Sequence, residues 1–191
     1  RASLCYKKQS MKRKNLNAAK LKNAIYKDIK ISKIYSKLNS ATKNTKKFLA
    51  AISGGSDSMA LALLSKQLKK EKNKKVYFVH VDHAIRKNSE NEALKLKKIL
   101  KEKQITLKII KNKKNIKNNI QKNARDSRYK ILSDFCKKNN IKSLVTAHHK
   151  DDQIETFLIR LSRGSGVEGL SSMSETTKLN HGIRLLRPFL E

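Results

Sequence analysis

The stretch FLAAISGGSDSMALALLSKQLKK, Phe48 to Lys70, joins an apolar run to a Ser-Gly-Gly-x-Asp-Ser turn and then to an apolar helical pattern. Phe48 to Ser53 reads as a buried strand, and Leu61, Leu64 and Leu68 fall at i, i+3 and i+7 of a helix. Such a turn suits an anion. Gly54 and Gly55 free the backbone so that amides converge, Ser53, Ser56 and Ser58 add hydroxyl donors, and the helix presents its positive end. No lysine follows the glycines in a G-x-x-x-x-G-K-S/T pattern, so a kinase-type phosphate loop is excluded. Asp57 is the odd member, because a carboxylate repels phosphate unless a cation or donor intervenes. It points to Mg2+ coordination or to bracing of the loop. A plain glycine turn with an aspartate helix cap would explain Ser-Gly-Gly alone, but not the whole strand–turn–helix arrangement.

Beyond this stretch, short apolar runs keep alternating with helical patterns. KVYFVHVDH reads as a second strand, ITLKIIK as a third and SLVTAHH as a fourth. Ser89 and Glu92 have capping-box spacing ahead of a helix with Ala93, Leu96 and Leu100 on one face. Residues 120–138 form a helix carrying Ile131, Leu132 and Phe135, and Ile154, Phe157, Leu158 and Leu161 make the apolar face of a last helix. This alternation predicts an α/β fold, a Rossmann-like parallel sheet with helices on both faces. Ligands in such a sheet sit beyond the carboxyl ends of the strands. Three of those ends carry SGGSDS, HVDH and TAHHKDD, so chemistry-bearing residues gather along one edge.

The chain has 191 residues, 38% of them hydrophobic and 32% charged, with a formal net charge of +31. That excess points to a polyanion, most often nucleic acid. Codon bias is the competing cause, since Lys, Asn and Ile crowd the sequence, and the two are compatible. Residues 1–47 hold fifteen Lys or Arg against one acid, Asp28, with no Gly or Pro. We read residues 1–46 as a basic extension, either a helix with Leu21, Ile25 and Ile29 on one face or a disordered arm. We read residues 47–191 as the α/β domain. Lysines on such an extension raise nucleic-acid affinity without reading sequence. The chain begins with Arg1, and Met11 is a candidate start. No run approaches the ~18 apolar residues of a membrane span, and the N-terminus lacks an apolar signal core, so no membrane partner and a cytoplasmic or equivalent compartment are expected. Cys5 and Cys136 are too few for a disulfide framework or a C-x-x-C metal site and read as free thiols.

Several residues stand out. His80 and His83 on a strand point to opposite faces, and no Cys accompanies them or His148 and His149, so a transition-metal site is not expected. Asp151, Asp152 and Glu155 fall in the first turn of a helix. They complement the helix dipole, or they bind Mg2+ and polarise an incoming nucleophile. Asp82, at another strand tip, offers the same chemistry. Arg125, Arg128, Arg160, Arg163 and Arg187 stand out in a lysine-dominated basic set because arginine suits bidentate phosphate contacts. RGSG, residues 163–166, reads as a turn after the last helix.

The opening stretch resembles the PP-loop of the ATP pyrophosphatases, which cleave ATP between the α- and β-phosphates and share the adenine nucleotide alpha hydrolase-like fold. The segments VHVDHAIRKNSENEA (79–93), NIQKNARDSRYKIL (119–132), TAHHKDDQIETFLIRLSRGSGVEGLSSM (146–173) and LLRPFL (185–190) follow in order. Together they are similar to the catalytic domain of the tRNA(Ile)-lysidine synthetases, over roughly Lys47 to Glu191. The resemblance implies an ATP- and Mg2+-dependent ligase that joins L-lysine to C2 of the wobble cytidine of a CAU-anticodon tRNA(Ile), with homodimerisation among the arrangements it admits. A PP-loop tRNA thiolase and a non-catalytic RNA-binding module are the alternatives. It implies that Ser53, Gly54, Gly55, Ser56, Asp57 and Ser58 cradle pyrophosphate and that Asp57 and Asp152 hold Mg2+. It also implies that His148, Asp151 and Asp152 sit over the nucleotide, with Arg125 and Arg187 on the phosphate or the intermediate. Asp57 and Asp82 complete the expected catalytic set. The family usually has Gly-Leu where this chain has Ala84-Ile85, and most members continue past the point corresponding to Glu191.

Overall fold

The computed structural model describes residues 23, 25–85, 88–112, 119–162, 164 and 173–190. The expectations for Cys5, Met11, Leu21 and Arg163, and for the RGSG turn apart from Gly164, fall outside those residues. Helix α1 (Ile29–Ala41) precedes β1 (Lys47–Ala51), α2 (Ser56–Glu71), β2 (Lys75–Asp82), α3 (Ser89–Glu102) and β3 (Leu107–Lys111). Then come α4 (Ile120–Lys138), β4 (Ser143–Val145), α5 (Lys150–Ser162), β5 (Thr176–Lys178) and β6 (Arg184–Leu186).

The strands make one sheet in the order β3-β2-β1-β4-β6-β5, all parallel except β5. Alternation along β1 divides the core. Phe48 and Ala50 join Val76, Phe78 and Leu107 beneath Leu61, Leu68, Leu96 and Leu100, from α2 and α3. Leu49 joins Val79, Val81, Leu144 and Leu185 against Leu132 and Cys136 of α4. Helices therefore cover both faces, as the alternation of patterns predicts. The order reverses between β1 and β4, so the tips of β1, β2 and β4 lie side by side.

The basic N-terminal segment contributes a packed helix from Ile29 onward. Asp28, the one acid in residues 1–47, accepts from the amides of Lys30 (2.9 Å) and Ile31 (3.2 Å) and caps α1. Ile25, Tyr35 and Leu38 are buried in the same core as α2 and α3. The Tyr35 hydroxyl donates to Glu71. The buried ammonium of Lys74 donates to the carbonyls of Thr42 and Thr45, closing the segment after α1. Ile29, in contrast, is 85% exposed, so it does not share a face with Ile25.

Removing residues 1–46 is therefore expected to abolish cooperative folding rather than simply to lower the charge. Three large buried side chains at about 2–5 kcal/mol each rival a whole net stability of about 5–15 kcal/mol. Thermal melting followed by circular dichroism checks this, and a chain starting at Lys47 that melts at the parent's temperature would contradict it.

Two local expectations are corrected. The capping box of Ser89 and Glu92 does not form: Asn88 is the N-cap of α3 and makes no side-chain cap bond, and Ser89 is already helical. The apolar face of α5 is not part of the core, since Ile154, Phe157, Leu158 and Leu161 are all about half exposed and α5 has no buried residue. Among the described residues, no helix is long and apolar enough to cross a membrane.

Candidate active site

The SGGSDS loop leaves β1 and enters α2. Gly54 takes φ +102°, a conformation that a side chain resists, and a Cβ there would meet Leu96 Cδ2 at 3.5 Å. Gly55 takes φ −72° and ψ 166°, ordinary extended backbone, so the expectation that both glycines serve special conformations holds for Gly54 only. A Cβ on Gly55 would meet nothing nearer than Ser53 Oγ at 3.9 Å. What Gly55 provides is open space. The buried Ser58 hydroxyl accepts from the Gly54 amide (3.0 Å) and donates to the Gly55 carbonyl (2.9 Å), so it shapes the loop from within. No side chain caps α2, which leaves its first-turn amides available to an anion.

A cavity of about 230 Å³ lies over this loop, between the tips of β1, β2 and β4 and the side of α4. Ser53, Gly55, Asp57, Arg128, His148 and Asp152 all reach it. His148 shares a 2.8 Å hydrogen bond with the Thr146 hydroxyl through Nδ1. Burial, reinforced by Arg187, pushes its pKa down to about 4, so the ring is neutral at pH 7. His80 also lines this cavity, with its ring held by a 2.8 Å contact of Nδ1 with the Ile52 carbonyl.

Asp82 stands one cavity further along. It lines a neighbouring space of about 570 Å³ with His83 and Glu92 on the α3 side. It is 3% exposed; Oδ1 accepts from the Ala84 amide (2.9 Å), and Oδ2 accepts no hydrogen bond among the described residues. Ala84 sits in the left-handed region at φ +53°, which is where the resembled family usually has glycine. Ala84→Gly is expected to raise the unfolding free energy by about 0.5–1 kcal/mol. Urea denaturation measures this, and a loss of stability would contradict the turn geometry.

The acids at the start of α5 meet Asp57 through His149. Its Nε2 lies 3.5 Å from Asp57 Oδ2 and 3.8 Å from Asp152 Oδ2. Nδ1 accepts from the Asp151 amide (3.2 Å), which leaves the proton on Nε2, facing both carboxylates. Asp152 Oδ2 also accepts from the His149 amide (2.8 Å) and so caps the turn into α5. Asp151 is largely exposed beside this cluster and does not line the cavity. His149 was not among the expected catalytic residues. The sequence signal was the pair His148-His149, whose neighbours on an extended chain point to opposite sides.

The arginines separate. Arg128 lines both cavities and its Nε donates to His83 Nε2 (3.4 Å). Arg125 is exposed, lies 5.9 Å over the Tyr129 ring and contacts Met173 Sδ at 3.9 Å. Arg187 is 5% exposed, donates to the Ser174 carbonyl (2.6 Å) and the Thr177 hydroxyl (2.8 Å) and interacts with Tyr129; its Nε finds no partner among the described residues. Among the described residues no carboxylate pairs with it. Arg125 and Arg187 are thus near the cavity's rim and wall without lining it, whereas Arg128, one helical turn after Arg125, does line it. No cluster of three or more His, Cys, Asp or Glu able to hold a metal occurs among the described residues. Cys136 is fully buried and burial pushes its thiol up to about 12.

A strand-tip cavity over an uncapped helix N-terminus, with a glycine edge left open, defines a nucleotide-binding α/β domain. A family model described as a PP-loop domain matches residues 25–191, and the chain belongs to that family. It is 46% identical over 156 residues to a tRNA(Ile)-lysidine synthase of Wolbachia pipientis wMel, covering 80% of this chain and 36% of that protein. It is 38% identical over 151 residues to a tRNA(Ile)-lysidine synthase of Orientia tsutsugamushi (strain Boryong), covering 78% and 33%. The chain thus spans about a third of the length of these curated relatives. Among solved structures it is similar to a U34-tRNA thiolase from Methanococcus maripaludis, with TM-score 0.64, 21% identity and coverage of 83% and 59%. It is also similar to a Candida glabrata FMN adenylyltransferase in complex with FMN and an ATP analog, with TM-score 0.51, 16% identity and coverage of 93% and 59%. At these identities the likeness to the two structures is one of fold.

Proposed function

We propose that this chain carries the ATP-dependent chemistry of lysidine formation on a CAU-anticodon tRNA(Ile). The wobble cytidine O2 attacks the α-phosphorus of ATP, and pyrophosphate leaves. The ε-amine of L-lysine then displaces AMP at C2 of the cytidine. The observation that carries this reading is the open edge of the cavity at Gly55, set against the uncapped first turn of α2. Backbone amides there can follow the departing pyrophosphate without a lysine. Similarity to the lysidine synthases supports this reaction among those such a loop can serve.

Each residue's part follows from its setting. Ser53 and Gly55 border the pyrophosphate, Ser56 stands exposed at the first turn of α2, and Gly54 and Ser58 keep the loop in shape. Arg128 offers positive charge at the wall of the cavity. Neutral His148 can hydrogen-bond the nucleotide without adding charge. Asp57 and Asp152, both facing His149 Nε2, are hard oxygen donors that fit Mg2+ together with phosphate oxygens and water. When bound there, Mg2+ would neutralise charge on the phosphates. His149 keeps the two carboxylates together. We assign the activity to the cytoplasm, or to the stroma or matrix of an organelle.

Within these 191 residues the cysteines disfavour the thiolase alternative: Cys136 of α4 is sealed in the core, and Cys5 is the only other one. Chromatography of labelled ATP incubated with the chain, tRNA(Ile) and lysine tests the proposal. The expected products are AMP and pyrophosphate, formed only with tRNA present. ADP as the main product would overturn the reading, and absence of any nucleotide turnover would favour an RNA-binding module.

A further inference from the structure

We infer that the groove between α1 and the start of α5 is the track along which a single-stranded RNA segment reaches the nucleotide cavity. The inference rests on the tRNA reading above and goes on to name the surface. The groove encloses about 560 Å³ and is lined by Lys30, Lys33 and Lys37, at i, i+3 and i+7 of α1, and by Lys150, Ile34 and Phe189 across from and between them. Asp57 and Ala147 line both this groove and the nucleotide cavity, so the two spaces meet at the loop.

Charge decides the direction of approach. The space on the other side of the cavity sets Asp82 and Glu92 against Lys95 and Arg128, so its charges cancel, whereas the α1 groove sets four lysines against Asp57 and Asp151. A phosphodiester chain there would lose hydration and meet no net positive charge in return. On the α1 side it meets four lysines. The groove's own carboxylates, Asp57 and Asp151, both lie against His149, at the end shared with the cavity. Lys30 and Lys33 pair with no acid among the described residues.

The lysines are also held in place. Asp28 caps α1 at one end, Lys74 closes the segment after it, and Tyr35 and Leu38 anchor its inner face. A row of charges on a rigid helix keeps a fixed distance from the reacting phosphate, which a floppy arm would not. Ile34, 40% exposed, and half-buried Phe189 add apolar surface between the charges. Unpaired bases and sugars can rest on such surface, whereas a duplex presents mainly phosphates.

The test uses the whole chain and an anticodon stem-loop with a CAU loop, with binding followed by fluorescence anisotropy between about 50 and 200 mM salt. One variant combines Lys30→Gln, Lys33→Gln and Lys37→Gln. Its control combines Lys69→Gln, Lys70→Gln and Lys72→Gln, at the far end of α2 from the loop. Each single-strand phosphate contact contributes about 0.7 to the slope of log affinity against log salt, so the groove variant should lose about 2 units of slope and about tenfold or more in affinity. The control should lose about threefold at most by the same non-specific effect. ATP affinity should be unchanged in both. Equal losses in the two variants would overturn the groove and leave the ATP reading intact. So would an equal loss of affinity for a plain RNA duplex. If the parent converts ATP to ADP, the reading of the reaction fails, whatever the groove variant does to RNA affinity. Lys33→Glu alone, expected to weaken stem-loop binding without altering the melting temperature, guards against a folding defect in the triple variant.

Discussion

Gly55→Val is expected to fold like its parent and to release pyrophosphate from ATP about a thousandfold more slowly, or not at all. Its backbone, at φ −72° and ψ 166°, is open to valine, and the nearest atom to a new Cβ is 3.9 Å away. Stability should change by about 1 kcal/mol at most, the cost of a poorer helix cap. The γ-methyls would stand in the cavity where the loop amides face their anion. Gly54→Val makes the contrast. At φ +102°, with Leu96 at 3.5 Å, it should cost about 2 kcal/mol or more and disturb the loop from below. Urea unfolding and a pyrophosphate-release assay on both variants separate the shape of the loop from the room it leaves. A fully active Gly55→Val would sink the cradle.

Arg187→Met is expected to lose about a hundredfold in turnover while its unfolding free energy moves by no more than about 2 kcal/mol. Burial lowers the Arg187 pKa, a sign that its charge is poorly solvated, and no carboxylate among the described residues offsets it. A buried cation in that state favours an incoming anion. Methionine keeps much of the volume and removes the desolvated charge, at the cost of the bonds to the Ser174 carbonyl and the Thr177 hydroxyl and of the interaction with Tyr129. Loss of stability as large as the loss of activity would make Arg187 a tie for the β5–β6 hairpin and nothing more. Urea unfolding with and without an ATP analogue reads both outcomes.

The fold was legible because the central strands are buried on both faces. FLAAIS and KVYFVHVDH carry near-continuous apolar runs, which only the middle of a parallel sheet requires. β5 and β6, three residues each, were not legible; Thr176–Lys178 has no buried residue and no alternation long enough to count. α5 misled for the opposite reason. Its apolar spacing is that of a packed helix, yet Phe157 and Leu158 remain exposed among the described residues. Periodicity reports that a face is apolar and not what lies against it. The basic extension hid its packing in a similar way, since Tyr35 and Leu38 sit among lysines that dominate the local composition.

The sequence by itself determined the alternation of strands and helices, the chemistry of the loop and the gathering of Asp, His and Ser at strand ends. Each follows from local pattern, because residue type and spacing are enough to specify them. Which of those residues share a cavity was decided only by the tertiary structure. β4 enters the sheet beside β1, with Leu49 opposite Leu144, and this brings His149 to Asp57 across ninety-two positions of chain. The same arrangement sends Asp82 to the next cavity and turns Lys30, Lys33 and Lys37 toward the loop. The physical reason is that strand order depends on how helices of either face close over the whole sheet, a sum of long-range contacts that no short stretch contains.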